Sequence, residues 1–132
     1  KALGIAEMVL FCGNVNRPED YLQAMDVFVM TSLFEGLPIV GVEAQASGLP
    51  CIFADTITQE VKLLPQTQFL ALSQPDEAWA ERIVQTKPME RSLAGHCVES
   101  AGFAEENLDR QVCALYGMEE HHFANISGRD HL

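Results

Sequence analysis

Short apolar runs separated by helix-like segments constrain the fold of this chain more than any other feature of its sequence. The runs are Met8–Cys12, Val27–Thr31, Cys51–Ala54 and Phe69–Leu72. Strands that are apolar on both faces and alternate with helices belong to a parallel sheet covered on both sides. The sequence therefore predicts an α/β fold, a Rossmann-like parallel sheet with flanking helices.

Three helices are predicted within the first 85 residues. Asn16 is a candidate N-cap for the first helix, which would run to about Met25. The second spans Ile39–Ser47, because Gly48 can end a helix in a left-handed conformation. The third spans Pro75–Gln85, where two acidic residues follow the proline and suit a helix N-terminus.

The 132 residues, 48% of them hydrophobic, are sufficient for one domain with a core. We expect residues 1–116 to form this domain, with a last helix at Glu105–Tyr116, and residues 117–132 to form a loose tail. The first predicted strand lies close to Lys1, and sheets commonly have about five or six strands. We therefore expect the chain to be a piece of a larger protein.

The charge and the cysteines exclude several functions. Eight basic and 19 acidic residues give a net charge of −11, which would repel a nucleic-acid backbone. No apolar run reaches the ~18 residues of a membrane span. The four cysteines form no CxxC pair, so we expect structural thiols, with Cys12 and Cys51 buried in apolar runs. Reduced thiols suit the cytoplasm, and no cluster of histidines and carboxylates predicts a metal site.

The segment Thr31–Pro50 has the features of a ligand site. It joins the second run to the next helix, and ligands of open parallel sheets bind outside the C-terminal ends of the strands. A helix that starts there offers free backbone N–H groups and a partial positive charge, which suit a phosphate. Gly36 would let the backbone approach a ligand closely, and Pro38 suits the first turn of the helix.

Two glutamates of this segment are candidate ligand-binding residues. At ~100° per residue, Glu43 lies about 40° from Ile39, on the apolar face of the helix. An unpaired carboxylate is costly there, whereas ligand hydroxyls could donate two hydrogen bonds to it. The alternative is a hydrated or paired glutamate at the edge of a covered helix. Glu35, eight positions earlier, would by itself be a solvated loop residue next to a helix N-terminus.

The spacing of Glu35 and Glu43, inside DVFVMTSLFEGLPIVGVEAQASGLPCI, resembles the E-x7-E element of retaining glycosyltransferases of the GT-B fold and the GT4 type. The preceding VLFCGNV and the following GLPCIFADT resemble the neighbouring strands and loops of that family. The resemblance is strong over Val9–Asp55 and weaker to about Tyr116. The segment is most similar to bacterial capsular or exopolysaccharide glycosyltransferases.

The resemblance implies part of the C-terminal domain of a two-domain enzyme, which binds a UDP- or GDP-linked sugar without a metal ion or another cofactor. Glu35 would be catalytic and meet hydroxyls of the donor sugar, and Glu43 would accept hydrogen bonds from the ribose hydroxyls. The segment in contact with the sugar and the diphosphate would comprise Gly36, Leu37, Pro38, Ile39 and Val40. The loop beside the base would comprise Gly13, Asn14 and Val15.

The resemblance also implies that an arginine/lysine pair and an acceptor-binding domain lie upstream of Lys1, so we expect no sugar transfer by this chain alone. The acceptor would be a glycan or a lipid-linked acceptor in polysaccharide biosynthesis, bound through that upstream domain. We expect a cytoplasmic protein whose membrane contact, at the inner face, comes from segments outside this chain. An exposed sheet edge would promote self-association of the chain.

Other assignments remain open at this point. A sugar-nucleotide epimerase of the same fold would bind a similar donor, and a flavodoxin-like module would bind its ligand without catalysis. Trp79 would either pack in the core or stack on a sugar. Asp55 and Thr56 follow the third run and would either reach the ligand or complete a turn.

Overall fold

The computed structural model describes residues 3–87 and 90–103. Its helices and strands are, in chain order, α1 Pro18–Ala24, β1 Phe28–Met30, α2 Ile39–Ala46, β2 Cys51–Ala54, β3 Gln68–Leu70, α3 Asp76–Gln85 and α4 Ala94–Val98. Single 3₁₀ turns form at Ala6–Met8, Gln59–Val61 and Arg91–Leu93, and the helical path that continues from α4 through Glu99–Phe103 is kinked at Gly102, whose φ is +97°. The predicted helix Glu105–Tyr116 and the tail 117–132 lie outside the described residues.

The three strands form one parallel sheet in the order β1-β2-β3. In its register, Val29 is opposite Ile52, and Phe53 is opposite Phe69. The chain returns between strands through α2 and through residues 55–67, since parallel neighbours need crossover connections. Three of the four predicted runs form strands, with β3 beginning one residue before its run, at Gln68, so the predicted Rossmann-like α/β class is confirmed.

The predicted strand at residues 8–12 is not formed, and this prediction is wrong. Residues 9–12 have no regular secondary structure and follow a single 3₁₀ turn. Leu10 and Phe11 are 82% and 91% exposed, and Cys12, predicted to be buried, is exposed as well. A strand needs a neighbour for its backbone N–H and C=O groups, and none of the described strands pairs with this run. Apolar composition alone therefore does not make a strand here.

The core lies mainly between α2 and the face of the sheet that carries Phe53. The ring of Phe53 is fully buried, and the rings of Phe28 and Phe69 flank it at centroid distances of 6.1 and 5.8 Å. A Cβ atom on Gly41 would lie 2.8 Å from Phe53 Cζ. The close approach of α2 to the sheet therefore requires a glycine at this position.

Helix α3 contacts the opposite face of the sheet. Successive strand residues point to opposite sides, and Gln68, the neighbour of Phe69, accepts a hydrogen bond of 2.8 Å from Arg82 of α3. Trp79 packs from α3 against the core, and it also lines a cavity of about 520 Å³ that reaches Val29. This packing favours the core assignment of Trp79 over sugar stacking.

Helix α2 ends before Gly48, as predicted. Gly48 has a φ of +75°, and its N–H donates to Gln45 O at 2.9 Å. The N–H of Leu49 donates to Ala44 O at 3.0 Å. These two bonds form a Schellman motif, which supplies partners to carbonyl groups that the last turn of a helix leaves free.

Helix α1 begins at Pro18 with Arg17 at its N-cap, so the prediction of Asn16 as the N-cap is wrong. A proline at the first helical position keeps the preceding residue out of the helical region, which places the boundary directly after Arg17. The Arg17 guanidinium binds the carboxylates of Glu19 and Asp20 at 3.0 and 3.1 Å. The pKa of Glu19 is lowered first by a hydrogen bond to its own backbone and then by Arg17.

Arg91 connects the segment after α3 to α1. Its Nη1 donates to Gln23 O and its Nη2 donates to Met25 O, both at 2.7 Å. A cation suits the C-terminal end of a helix, where carbonyl groups lack intrahelical partners. Arg91 also lies over the end of α2, because a Cβ on Gly48 would be 2.7 Å from Arg91 Cγ. One side chain thus holds α1 and the end of α2 together.

Candidate functional site

The C-terminal ends of the three strands define one edge of the sheet. Residues 31–37 follow β1, residues 55–58 follow β2 and residues 71–75 follow β3. These loops are neighbours because the strands are parallel and adjacent. Open parallel sheets bind ligands at this edge. The predicted site residues Glu35 to Val40 all lie on it, because α2 starts directly after the first loop.

The loop that carries Glu35 is joined to the turn after β2. Thr56 Oγ1 donates a hydrogen bond of 2.7 Å to the carbonyl oxygen of Ser32. An isolated parallel β-bridge pairs Glu35 with Ile57. Asp55 accepts a hydrogen bond of 3.3 Å from a backbone N–H of the loop after β3. Asp55 and Thr56, for which a ligand role and a turn role were both open, thus make contacts among the three loops.

The N-terminus of α2 is accessible. Pro38 is the N-cap residue and is buried, whereas Leu37, Ile39 and Val40 are 36%, 61% and 38% exposed. The first N–H groups of a helix lack intrahelical acceptors, and the N-cap residue here makes no side-chain capping bond. An anion at this position would receive hydrogen bonds from these groups and would be favoured by the helix dipole.

Gly36 has open space on the side where other residues carry a Cβ atom. No atom of the described residues lies within 4 Å of a Cβ built on Gly36, and its φ is not positive. Neither backbone strain nor a steric conflict with this part of the chain demands a glycine there. The space leaves room for the predicted close approach of a ligand.

Glu43 lies on the exposed side of α2, so its predicted position on the apolar face is wrong. The buried residues of the helix are Gly41, Val42, Ala44 and Gln45. Ile39, which the prediction took as the centre of the apolar face, is 61% exposed. Residues four apart share a helix face, so Ile39 and Glu43 turn away from the core together. The carboxylate of Glu43 is accessible to a ligand, and its donor-binding role stays a prediction.

Glu43 lines a groove between α1 and α2. The groove has a volume of about 210 Å³, and Glu19 of α1 lies on its other side. An adjacent cavity of about 180 Å³ is lined mostly by apolar side chains, including Val15 before α1 and Val40 of α2. The structure thus brings the predicted base-side loop near the start of α2. Glu35 lines neither of these two cavities.

The predicted base-side loop is itself accessible. Gly13 has a φ of +63°, a conformation that favours glycine. Asn14 is exposed, and Val15 is half-buried against the apolar cavity. The loop can therefore meet a ligand, and its contact with a base stays a prediction.

Gln45 supports this region and was not singled out from the sequence. Its side chain is fully buried, and Nε2 donates to the carbonyl oxygens of Gly41 and Val61 at 3.0 and 2.7 Å. Oε1 accepts hydrogen bonds of 3.0, 3.1 and 2.7 Å from Leu63 N–H, Leu64 N–H and the Thr67 hydroxyl. Its burial leaves no signal in the sequence, because Ile39 and Val40 make the exposed side of α2 apolar as well.

The described ranges contain neither a cluster of potential metal ligands nor a helix suited to a membrane. Among residues 3–87 and 90–103, no group of three or more histidine, cysteine, aspartate or glutamate side chains is placed to hold a metal ion. None of the helices within these ranges is long and apolar enough to cross a membrane. The metal-independent chemistry that the resemblance implies stays a prediction.

These features define an α/β domain whose parallel sheet presents an accessible helix N-terminus at its ligand edge, with one glutamate before the helix and one on it. The family model described as "Glycosyl transferases group 1" matches residues 1–86. The chain belongs to this family, which confirms the resemblance to glycosyltransferases of this group, whereas the retaining mechanism stays a prediction. No solved structure gives a significant match.

One curated relative is named as a glycosyltransferase and another as a polysaccharide biosynthesis protein. "Putative glycosyltransferase EpsF" of Bacillus subtilis (strain 168) is 53% identical over 78 residues, which are 58% of this chain and 20% of EpsF. "Vi polysaccharide biosynthesis protein VipC/TviE" of Salmonella typhi is 35% identical over 114 residues, 80% of this chain and 19% of that protein.

A third relative has a more specific name. "UDP-Gal:alpha-D-GlcNAc-diphosphoundecaprenol alpha-1,3-galactosyltransferase" of Escherichia coli is 42% identical over 53 residues, which are 40% of this chain and 14% of the enzyme. The chain therefore spans a fifth or less of the length of these three relatives.

Proposed function

We propose that this chain binds a nucleoside-diphosphate sugar at the C-terminal edge of its sheet, as the donor side of a retaining glycosyltransferase of the GT-B fold. The sugar is a hexose, and the acceptor is a glycan or a lipid-linked glycan in polysaccharide biosynthesis. The observation that carries the proposal is the accessible N-terminus of α2 with Glu35 before it and Glu43 on it, in a member of glycosyl transferases group 1.

The diphosphate lies, in this proposal, at the N-terminus of α2. The first intrahelical bond of this region runs from Gly41 N–H to Pro38 O at 2.9 Å, so the N–H groups of Ile39 and Val40 remain for a ligand. Gly36 leaves space beside the backbone at the same edge. Backbone donors and the helix dipole together favour a doubly charged group there.

The two glutamates take different parts of the donor. The apolar cavity shared by Val15 and Val40 suits the face of a base, and Glu43 lines the adjacent groove. The ribose hydroxyls would then donate to Glu43, since a carboxylate can accept two such bonds. Glu35, in the loop before α2, meets the hydroxyls of the sugar on the other side of the diphosphate.

The names of the relatives support the substrate class. The Escherichia coli relative is named for UDP-Gal as its donor and for a diphosphoundecaprenol-linked acceptor. We therefore place the donor among UDP- and GDP-linked hexoses, and the reaction in the cytoplasm at the inner face of the membrane. Membership of the family favours sugar transfer over the epimerase and the non-catalytic module.

The charge that develops on the departing diphosphate needs more than α2. No lysine or arginine occurs between Arg17 and Lys62. Such charge is stabilised by cations or by several preorganised donors. We place the cationic residues and the acceptor site in other parts of a longer protein, since this chain spans 20% of EpsF.

Titration of the isotope-labelled protein, followed by NMR, tests donor binding. The ligands are UDP, UDP-glucose, UDP-galactose, GDP and GDP-mannose, with inorganic phosphate as the control for unspecific anion binding. We expect saturable shifts of the backbone amides of residues 13–15 and 36–43 with one of the two nucleotide series. Shifts confined to the cavity under α3, or equal shifts with phosphate alone, would contradict the proposal.

A further inference from the structure

The turn after β2 is fixed to the sheet on both sides of Thr56. The N–H of Asp55 donates to Leu70 O at 3.0 Å, and the N–H of Leu72 donates to Asp55 Oδ1 at 3.3 Å. These bonds join the turn to the end of β3. On the other side of Thr56, Ile57 is 2% exposed and belongs to the hydrophobic core. Thr56 is therefore presented from a rigid turn, although its own side chain is exposed.

The loop between β1 and α2 is less tightly packed than this turn. Leu33 and Phe34 are 82% and 85% exposed, so their side chains contribute little to holding the loop. Two contacts join the loop to the rigid turn. The Thr56 hydroxyl donates to Ser32 O at 2.7 Å, and Glu35 forms a β-bridge with the residue after Thr56. The first contact lies directly before the exposed residues Leu33 and Phe34, and the second lies directly after them, at Glu35, whose carboxylate the proposed function uses.

We propose that Thr56 is a positioning residue for recognition of the donor sugar. Its hydroxyl fixes the path of the loop at Ser32 and thereby the place of Glu35 at the edge of the sheet, without touching the substrate. The inference rests on the proposed function, in which Glu35 meets the sugar. Other contacts hold helix α2 in place. Gly41 packs closely against the sheet, and Gln45 hydrogen-bonds the helix to the segment after β2. A substitution at Thr56 should therefore change the affinity that the sugar contributes and leave the affinity for the nucleotide unchanged.

The contribution of the sugar is measured as the Kd of the free nucleoside diphosphate divided by the Kd of its sugar-linked form. The probes are UDP against UDP-glucose and UDP-galactose, and GDP against GDP-mannose. Thr56→Val keeps the shape of the side chain and lacks the hydroxyl, so we expect the ratio to fall about threefold to tenfold. The affinity for the free nucleotide should not change. Thr56→Ser keeps the donor and should retain the wild-type ratio.

Thr86→Val is the matched control. Thr86 Oγ1 also donates to a backbone carbonyl at 2.7 Å, that of Arg82 at the end of α3, away from the loops of the site. This variant should keep the wild-type ratio. Amide hydrogen exchange of residues 32–37 provides a readout without ligand, and it should become faster in Thr56→Val but not in Thr86→Val.

A lower ratio in Thr56→Val alone, with faster exchange of residues 32–37, supports the role of Thr56. It is overturned if Thr56→Val keeps the wild-type ratio, if Thr56→Ser loses as much as Thr56→Val, or if Thr86→Val loses the same amount. If the wild type binds the nucleotides and Thr56→Val keeps the wild-type ratio, this inference alone is contradicted and the proposed function stands. A wild-type protein that binds neither nucleotide series contradicts the proposed function, and the role of Thr56 is then lost with it.

Discussion

Glu35 and Glu43 lie in different surroundings, and substitution at the two residues should have different effects. Glu43 is exposed in the groove beside α1, whereas Glu35 is half-buried and paired with the turn after β2. Glutamine keeps the size of either side chain and removes its charge. Hydrogen bonds to charged groups are worth ~1.5–3 kcal/mol and neutral ones ~0.5–1.5 kcal/mol. Glu43→Gln should therefore weaken the binding of free UDP or GDP about tenfold.

Glu35→Gln should instead leave the affinity for the free nucleotide unchanged and lower the additional affinity for the sugar-linked form. Calorimetric titration with both ligands separates the two roles. Glu19→Gln, in the same groove but paired with Arg17 at 3.0 Å, is the matched control and should bind as the wild type does. Equal nucleotide affinities of the wild type and Glu43→Gln would support the helix-edge alternative for Glu43.

Cys51 makes the stability of the protein depend on pH in the alkaline range. Its thiol is fully buried and donates a hydrogen bond of 3.3 Å to Leu49 O, and burial raises its pKa from 9.0 to about 12. The folded pKa lies above the unfolded one, so the stabilisation is complete below about pH 9 and is lost as the pH rises toward 12.

The free energy of unfolding in urea should therefore decrease as the pH rises above about 9, and Cys51→Ala should show a smaller decrease. Cys97→Ala changes an exposed thiol and serves as the control, with the pH dependence of the wild type. Parallel curves for the wild type and Cys51→Ala would show that another group causes the dependence.

At the scale of the elements, Gln45 joins α2 to the segment between β2 and β3. Gln45→Met keeps a similar volume but leaves the buried carbonyl of Val61 and the hydroxyl of Thr67 without this partner. Each unsatisfied buried group costs ~1–3 kcal/mol, so we expect the free energy of unfolding to fall by about 3 kcal/mol or more.

Urea unfolding measures this effect, with Gln85→Met as the control. Gln85 is exposed in the last turn of α3, and its replacement should change the free energy of unfolding by no more than about 0.5 kcal/mol. An equally small effect at Gln45 would mean that its five hydrogen bonds contribute nothing net to stability.

The elements were predictable where the sequence itself contains what stabilises them. Gly48 ends α2 because glycine adopts the φ of +75° that the last turn requires. The strand at Cys51–Ala54 is apolar on both faces and becomes the fully buried central strand. Residues 8–12 have a similar composition, but a strand also needs a neighbouring strand to pair with. The composition of a run does not show whether such a neighbour exists.

The rotation of α2 was not predictable from its apolar residues. Ile39 and Val40 are apolar and yet 61% and 38% exposed, so the pattern does not distinguish the buried face. The contact of Gly41 with Phe53 and the bonds of Gln45 decide the rotation instead. The edge of the site was predictable from the order of strand and helix. The Thr56 to Ser32 bond was not, because it joins residues 24 positions apart.

At the scale of the whole molecule, the chain should bind a donor without transferring its sugar. The described site has an exposed glutamate, Glu43, and an accessible helix N-terminus, and Arg17 and Lys62 are the nearest cations in sequence on either side of it. Without a cation near the leaving group, the developing charge is not stabilised. Incubation with UDP-galactose or GDP-mannose and a glycan acceptor should release no nucleotide above background. Measurable turnover by the purified chain would contradict this prediction.

The open edge of β1 should make the chain self-associate. Within the part of the chain that the structure describes, β1 pairs only with β2, and Leu10 and Phe11 are exposed apolar residues. Unpaired edges and exposed apolar side chains both promote association. Sedimentation should show a mass that increases with protein concentration, and Phe11→Lys should reduce the increase. A constant monomer mass at every concentration would contradict the prediction.

The contact between Arg91 and α1 also has a consequence for synthesis on the ribosome. Arg91 lies 66 positions after Met25, whose carbonyl it binds. At ~5–20 residues per second, the carbonyls at the end of α1 remain without this guanidinium for several seconds after they are made. The contacts of β1, α2 and β2 are closer in sequence and can form during this interval. The pairing of β1 with β2 can therefore form first, whereas the contact of Arg91 with α1 has to wait until α3 has been synthesised.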